Sequence, residues 1–155
     1  MKIHIVGGPG SGKSFLAEKL STQYGIPHYD LDELQWDNET GDYGTKRDPQ
    51  KRDELLRQLL KKDEWIIEGV YYAWCGQCFE DADVIYLLSV PGYIYRYRII
   101  RRYLRRKIGL EKGKKESLRS LSELLKWADK YQQVNLVEIK KILEPYKDKV
   151  KCNIE

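Results

Sequence analysis

The run Gly7-Gly8-Pro9-Gly10-Ser11-Gly12-Lys13-Ser14 matches G-x-x-x-x-G-K-[ST] in full. Glycines at these spacings let successive backbone N–H groups turn inward on an anion, and a following helix adds its positive N-terminal end. Lys13 is the cation that would reach the β- and γ-phosphates of a nucleoside triphosphate, and Ser14 would offer a hydroxyl to Mg²⁺. Residues 7–14 are therefore expected to hold ATP with Mg²⁺.

Further residues along the chain could complete that chemistry. Asp30 and Asp32 are two apart, so on an extended strand both would leave the same face. A carboxylate there could take the proton of an acceptor hydroxyl, which assigns Asp32 a catalytic role and Asp30 a substrate contact. Arg47 and Arg52 point to a different acceptor, because a guanidinium fork suits a phosphate, and both alternatives stand. Trp65-Ile66-Ile67 ends in Glu68-Gly69, which makes Glu68 the candidate on the Mg²⁺ side or for ordering a water, whereas Asp83 opens its own apolar run and would sit at the wrong edge. Gly69, Tyr71, Tyr72 and Trp74 are expected to wall an acceptor pocket.

Arg96, Arg98, Arg101, Arg102, Arg105, Arg106 and Lys107 crowd into one helical stretch, with positions 98, 102 and 105 sharing a face. At a lid over the phosphates, expected near residues 96–117 with Gly109 and Gly113 as hinges, such arginines neutralise charge on the transferred group, with Arg98 and Arg102 foremost. A basic helix is also a footprint for nucleic acid, so an ATP-binding, DNA-associated regulatory protein is the alternative from another class. A net charge of only +4 and the lack of a base-reading motif weigh against it. Trp74-Cys75-Gly76-Gln77-Cys78 looks like a redox site, but the phosphate-loop unit already occupies the chain before it, and a zinc site would need more ligands than Cys152, His4 and His28 readily supply.

The elements that must position these residues are legible in outline. Residues 2–6 form a short β-branched run before the glycine loop, and Phe15, Leu16 and Leu20 follow at helical spacing until Gly25. A second strand is expected over residues 26–31, then a polar loop over 37–47 containing Gly41 and Gly44. Asp48-Pro49 reads as a helix start, the Asp capping free amides and the Pro losing nothing in the first turn. Trp65-Ile66-Ile67 and residues 84–88 read as strands apolar on both faces, which suits a parallel sheet. After Pro91 comes a long helix with Tyr95, Ile99 and Tyr103 facing inward. A charged loop follows at residues 112–115, then a helix with Leu118, Leu121, Leu125 and Ala128 inward, a helical stretch to Leu143 stopped by Pro145, and a fifth strand over 150–154.

Composition agrees with this outline. The 155 residues suit one domain, and 41% hydrophobic with 34% charged residues is globular composition. No apolar run approaches the roughly 18 residues a membrane span needs. Three cysteines and a start without a leader pattern lead to the expectation of a reducing, cytoplasmic setting.

Taken together, residues 7–14, Tyr29-Asp30-Leu31-Asp32, Trp65-Ile66-Ile67-Glu68-Gly69 with its following aromatics, and the Arg-rich helix from Tyr95 resemble the bacterial "DNA topology modulation" proteins, small P-loop proteins of the adenylate-kinase-like superfamily. The resemblance implies a five-stranded parallel sheet flanked by helices, ATP as donor, and a lid segment. Shikimate and nucleoside kinases of that superfamily place a carboxylate much as Asp32 is placed, and nucleoside monophosphate kinases use arginines as Arg47 and Arg52 would be used. The expectation is thus an α/β, three-layer nucleotide-kinase-like domain over residues 1–155 that transfers a phosphoryl group to a small acceptor, a nucleoside or nucleotide among the possibilities.

Overall fold

A computed structural model gives the fold over residues 1–37, 45–111 and 117–152. Five strands, β1 (Lys2–Gly7), β2 (His28–Asp30), β3 (Trp65–Gly69), β4 (Val84–Leu88) and β5 (Val150–Cys152), form one parallel sheet of order β2-β3-β1-β4-β5. Strands buried on both faces must send alternate residues into two cores, and they do. Ile3, Ile5 and Ile66 join Ala17 and Leu20 of α1 (Lys13–Tyr24) on one face. Val6, Trp65, Ile67, Ile85 and Leu87 pack on the other face against α3 (Pro49–Leu60), α4 (Gly76–Asp81) and α7 (Leu136–Leu143).

Because β1 lies between β3 and β4, the chain crosses to one side of β1 first and to the other side later. The carboxyl end of β1 is thus a topological switch point, the place where open α/β sheets leave a crevice. The glycine loop emerges there.

Local signals explain the element ends. Asp48 is the N-cap of α3, its Oδ1 accepting from the backbone amides of Gln50 and Lys51 at 3.0 and 3.1 Å, with Pro49 in the first turn. The second strand is shorter than its apolar run suggested. It stops at Asp30, whose side chain accepts from the Asp32 amide at 2.8 Å and so caps a short helix, α2 (Leu31–Gln35). Asp30 and Asp32 therefore do not alternate along a strand, and the same-face argument for them fails, because a local side-chain cap outcompetes extension.

Helix α5 (Gly92–Lys107) buries Tyr95, Ile99 and Tyr103 as expected and packs with α6 (Leu118–Lys130), where Ala128 is buried but Leu118 is exposed. A single π turn (Tyr131–Asn135) joins α6 to α7, which ends at Leu143, and Pro145 falls in the following 3₁₀ turn (Glu144–Lys149). Gly41, Gly44, the charged loop at 112–115 with its proposed hinge Gly113, and residues 153–154 of the expected fifth strand lie outside the described residues. Among the described residues, no helix is long and apolar enough to cross a membrane.

Candidate functional site

The loop after β1 is built for a close approach. Gly10 and Gly12 have φ of +73° and +99°, conformations that favour glycine, and a Cβ at Gly7 would lie 2.5 Å from the Leu88 carbonyl oxygen. A Cβ at Gly8 would lie 2.8 Å from the ring of Tyr131, which the π turn carries against the loop. The Tyr131 hydroxyl donates to the Val70 carbonyl at 2.9 Å, so one ring braces both the loop and the exit of β3.

Lys13 sits at the first turn of α1, only 8% exposed, its Nζ donating to the Gly8 carbonyl at 3.1 Å. Burial pushes this ammonium below its usual range, while Glu68, Asp30 and Asp32 pull it back and Arg102 adds to the depression. Ser14 Oγ donates to Glu68 Oε1 at 2.5 Å. The Asp30–Glu68 pairing of β2 with β3 sets both acids at the carboxyl end of the sheet. A buried cation held by a carbonyl, a glycine cradle, and the orphaned buried Ser11 Oγ fit a polyphosphate, and the Ser14–Glu68 oxygens fit a hard divalent cation.

A cavity of about 920 Å³ opens above these groups. Lys13, Ser14, Glu68, Asp30, Asp32 and Tyr71 all line it. The Tyr71 hydroxyl donates to Asp32 Oδ1 at 2.6 Å. Burial, reinforced by that hydrogen bond and the nearby acids, raises the phenol above its ordinary range, so it stays a donor and leaves Asp32's second oxygen for other work. Arg98 and Arg102 line the same cavity, and Arg98 Nη1 donates to the carbonyls of Gly10 and Ser11 at 3.2 and 3.0 Å.

Several sequence expectations need correction. Arg47 does not reach the cavity: its guanidinium donates to the carbonyls of Leu34, Glu33 and Trp36, covering the open C-terminal end of α2 as a cation there should. Arg52 pairs with Asp53 at 2.7 Å and lies 4.4 Å from the centre of the Trp74 ring. Tyr72 turns away from the cavity and donates to Glu138 at 2.5 Å, while Tyr71 alone of the two tyrosines faces inward. The third arginine lining the cavity is Arg106, not Arg105, although both pair with Glu111, at 3.8 and 3.5 Å. Cys75 and Cys78 are fully buried free thiols, and no group of three His, Cys, Asp or Glu side chains suited to a metal occurs among the described residues.

Lining residues that the sequence did not single out are Gln35, Trp36, Lys46, Val70, Leu124 and Trp127. Gln35 and Trp36 follow directly on the acid cluster, a signal that was present, whereas nothing local marks Trp127 of α6 as a neighbour of the phosphate loop.

The acids carry a pH signature. Asp30 is pushed up to about 7, first by burial and then by repulsion from Glu68 and Asp32, against the Asp32 amide and Lys13. Between the ordinary value of 3.8 and about 7 the folded protein keeps a proton that the unfolded chain has released. Stability of the ligand-free protein is therefore expected to fall as pH rises through that window and to level off above it. Thermal melts against pH check this: Asp30→Asn, which keeps a capping oxygen, should flatten the decline, and an unchanged slope would assign it to other groups.

No protein-family model matches the chain. An uncharacterized protein of Bacillus subtilis, YqaC, is 30% identical over 106 residues, covering 65% of this chain and 58% of that one. An adenylate kinase of Caldicellulosiruptor saccharolyticus is 34% identical over 70 residues, 45% of this chain and 32% of that enzyme. This chain thus spans less than two thirds of the length of either relative. Among solved structures, shikimate kinase from Acinetobacter baumannii in complex with shikimate aligns with a TM-score of 0.54 at 18% identity, over 99% of this chain and 82% of that one. The fold is that of the P-loop nucleotide-kinase-like α/β proteins.

Proposed function

We propose that this chain is an ATP-dependent phosphotransferase of the nucleoside- and nucleotide-kinase type, moving the γ-phosphoryl group to a hydroxyl of a small acceptor. One observation carries the reading: a carboxylate oriented by a tyrosine, Asp32 with Tyr71, faces the same cavity as Lys13, Ser14 and Arg98. ATP with Mg²⁺ would supply the phosphoryl group and the charge neutralisation between phosphates.

The chain's own residues account for the rest. The loop amides and Lys13 position the polyphosphate, and Ser14 with Glu68 offers oxygens to the cation. Asp32 orients the acceptor hydroxyl and takes its proton on the oxygen left over once Oδ1 is engaged by Tyr71. Arg98 and Arg102 stabilise charge on the transferring group. With Arg47 and Arg52 directed elsewhere, a hydroxyl acceptor is favoured over a phosphate one.

The basic helix supports this more than a duplex-binding role. Its residues 98, 102 and 106 face the cavity, Arg96 pairs with Asp129, and Arg105 pairs with Glu111.

The test is ADP release from ATP–Mg²⁺ with nucleosides, nucleoside monophosphates and small hydroxy acids. Reversing Arg98 and Arg102 to Glu should lower kcat by about 10²-fold or more, far beyond any loss of ATP affinity. Tight, salt-sensitive duplex binding without phosphotransfer to any acceptor would overturn the reading.

A further inference from the structure

The acceptor end of the cavity has a polarity of its own. Gln35, the last residue of α2, is 8% exposed and lines the cavity beside Asp30 and Asp32. Its side-chain oxygen Oε1 is buried and has no hydrogen-bond partner among the described residues. An unpaired buried carbonyl is costly, and on a residue that lines a cavity it gains a partner when the side chain turns toward a donor that enters with a ligand.

Its neighbours repeat the demand. Asp30 and Asp32 are acceptors when ionised, and Tyr71 already directs its proton to Asp32. Of the lysines lining the cavity, Lys13 stands within electrostatic reach of both acids but belongs to the phosphate loop, and Lys46 is exposed and bridges to Trp36. The cavity-lining arginines stand instead on the phosphate side, from α5. Trp36 and Tyr71, whose side chains are hydrogen-bonded to each other, add aromatic surface to the same lining. The lining thus offers oxygen acceptors together with aromatic surface.

We infer that Gln35 is a specificity-determining residue for an acceptor that is uncharged or cationic, presents N–H or O–H donors along one edge, and has a flat or apolar face against Trp36 and Tyr71. This rests on the phosphotransferase reading above and names the substrate class of the same site. Nucleosides and amino sugars share that chemistry. Carboxylate and phosphate acceptors do not, since they would meet Asp30 and Asp32 while the buried cation beside those acids, Lys13, is committed to the phosphates of the donor.

The experiment measures ADP release and calorimetric acceptor binding across ribonucleosides, amino sugars, shikimate and nucleoside monophosphates, for wild type and Gln35→Leu. Turnover is expected with the nucleoside or the amino-sugar arm, and whichever responds identifies the source. In Gln35→Leu the acceptor KM should rise about 10- to 100-fold with ATP affinity unchanged. The ligand-free variant should melt no lower than wild type, because an orphaned buried carbonyl has been removed; a merely structural Gln35 would instead lower the melting temperature and leave KM alone. Preference for shikimate or a monophosphate, or an unchanged KM in a folded Gln35→Leu, overturns this inference and leaves the kinase reading standing. Absence of turnover with every acceptor, in a protein that binds ATP, overturns the kinase reading and this one with it.

Discussion

Lys13→Ala should lose ATP affinity by about 10²-fold or more while the protein still folds. The ammonium is buried, and among the described residues its direct hydrogen bond is to the Gly8 carbonyl at 3.1 Å, so it contributes little packing. Burial disfavours its charge, and the nearby Glu68, Asp30 and Asp32 only partly compensate. A cation kept under that strain is far better matched by polyphosphate oxygens, and deleting it removes that gain without opening the core. Calorimetry with ATP–Mg²⁺, alongside a thermal melt, measures both halves of the expectation. Unchanged affinity in a folded variant would remove the phosphate-loop assignment.

Asp32→Asn should lower kcat by about 10²- to 10⁴-fold with little change in the KM for ATP, the usual loss when a general base is removed. The substitution keeps an oxygen for the Tyr71 hydroxyl, so the local geometry survives and the loss reports on proton transfer. Arg47→Ala is the companion variant. Its guanidinium serves the carbonyls of Leu34, Glu33 and Trp36, so it should loosen α2 and lower stability rather than raise an acceptor KM selectively. A mild Asp32→Asn together with an Arg47→Ala that raises acceptor KM alone would replace the hydroxyl acceptor by a phosphate one.

By itself the sequence determined those parts of the protein whose physics is local. The order strand, glycine loop, helix over residues 2–24 follows from a β-branched run, residues that tolerate positive φ, and helical spacing, all within one stretch of chain. Asp48-Pro49 capped its helix as its chemistry requires, and the inward face of α5 was legible because Tyr95, Ile99 and Tyr103 recur at four-residue steps. Strands apolar on both faces implied a parallel sheet covered on both sides, which is what forms. Tertiary structure alone decided which polar side chains face the cavity. Asp30 and Asp32 meet there through a helix cap rather than strand alternation, and Arg47 is drawn to carbonyls at a helix end that exists only once α2 has formed. Arg106 lines the cavity and Arg105 does not, although both pair with Glu111, and Trp127 comes from a helix more than a hundred residues along the chain from the loop whose cavity it helps line. A charged or polar side chain is satisfied by whichever partner the fold brings near, and partners far apart in the chain leave no periodic trace in it.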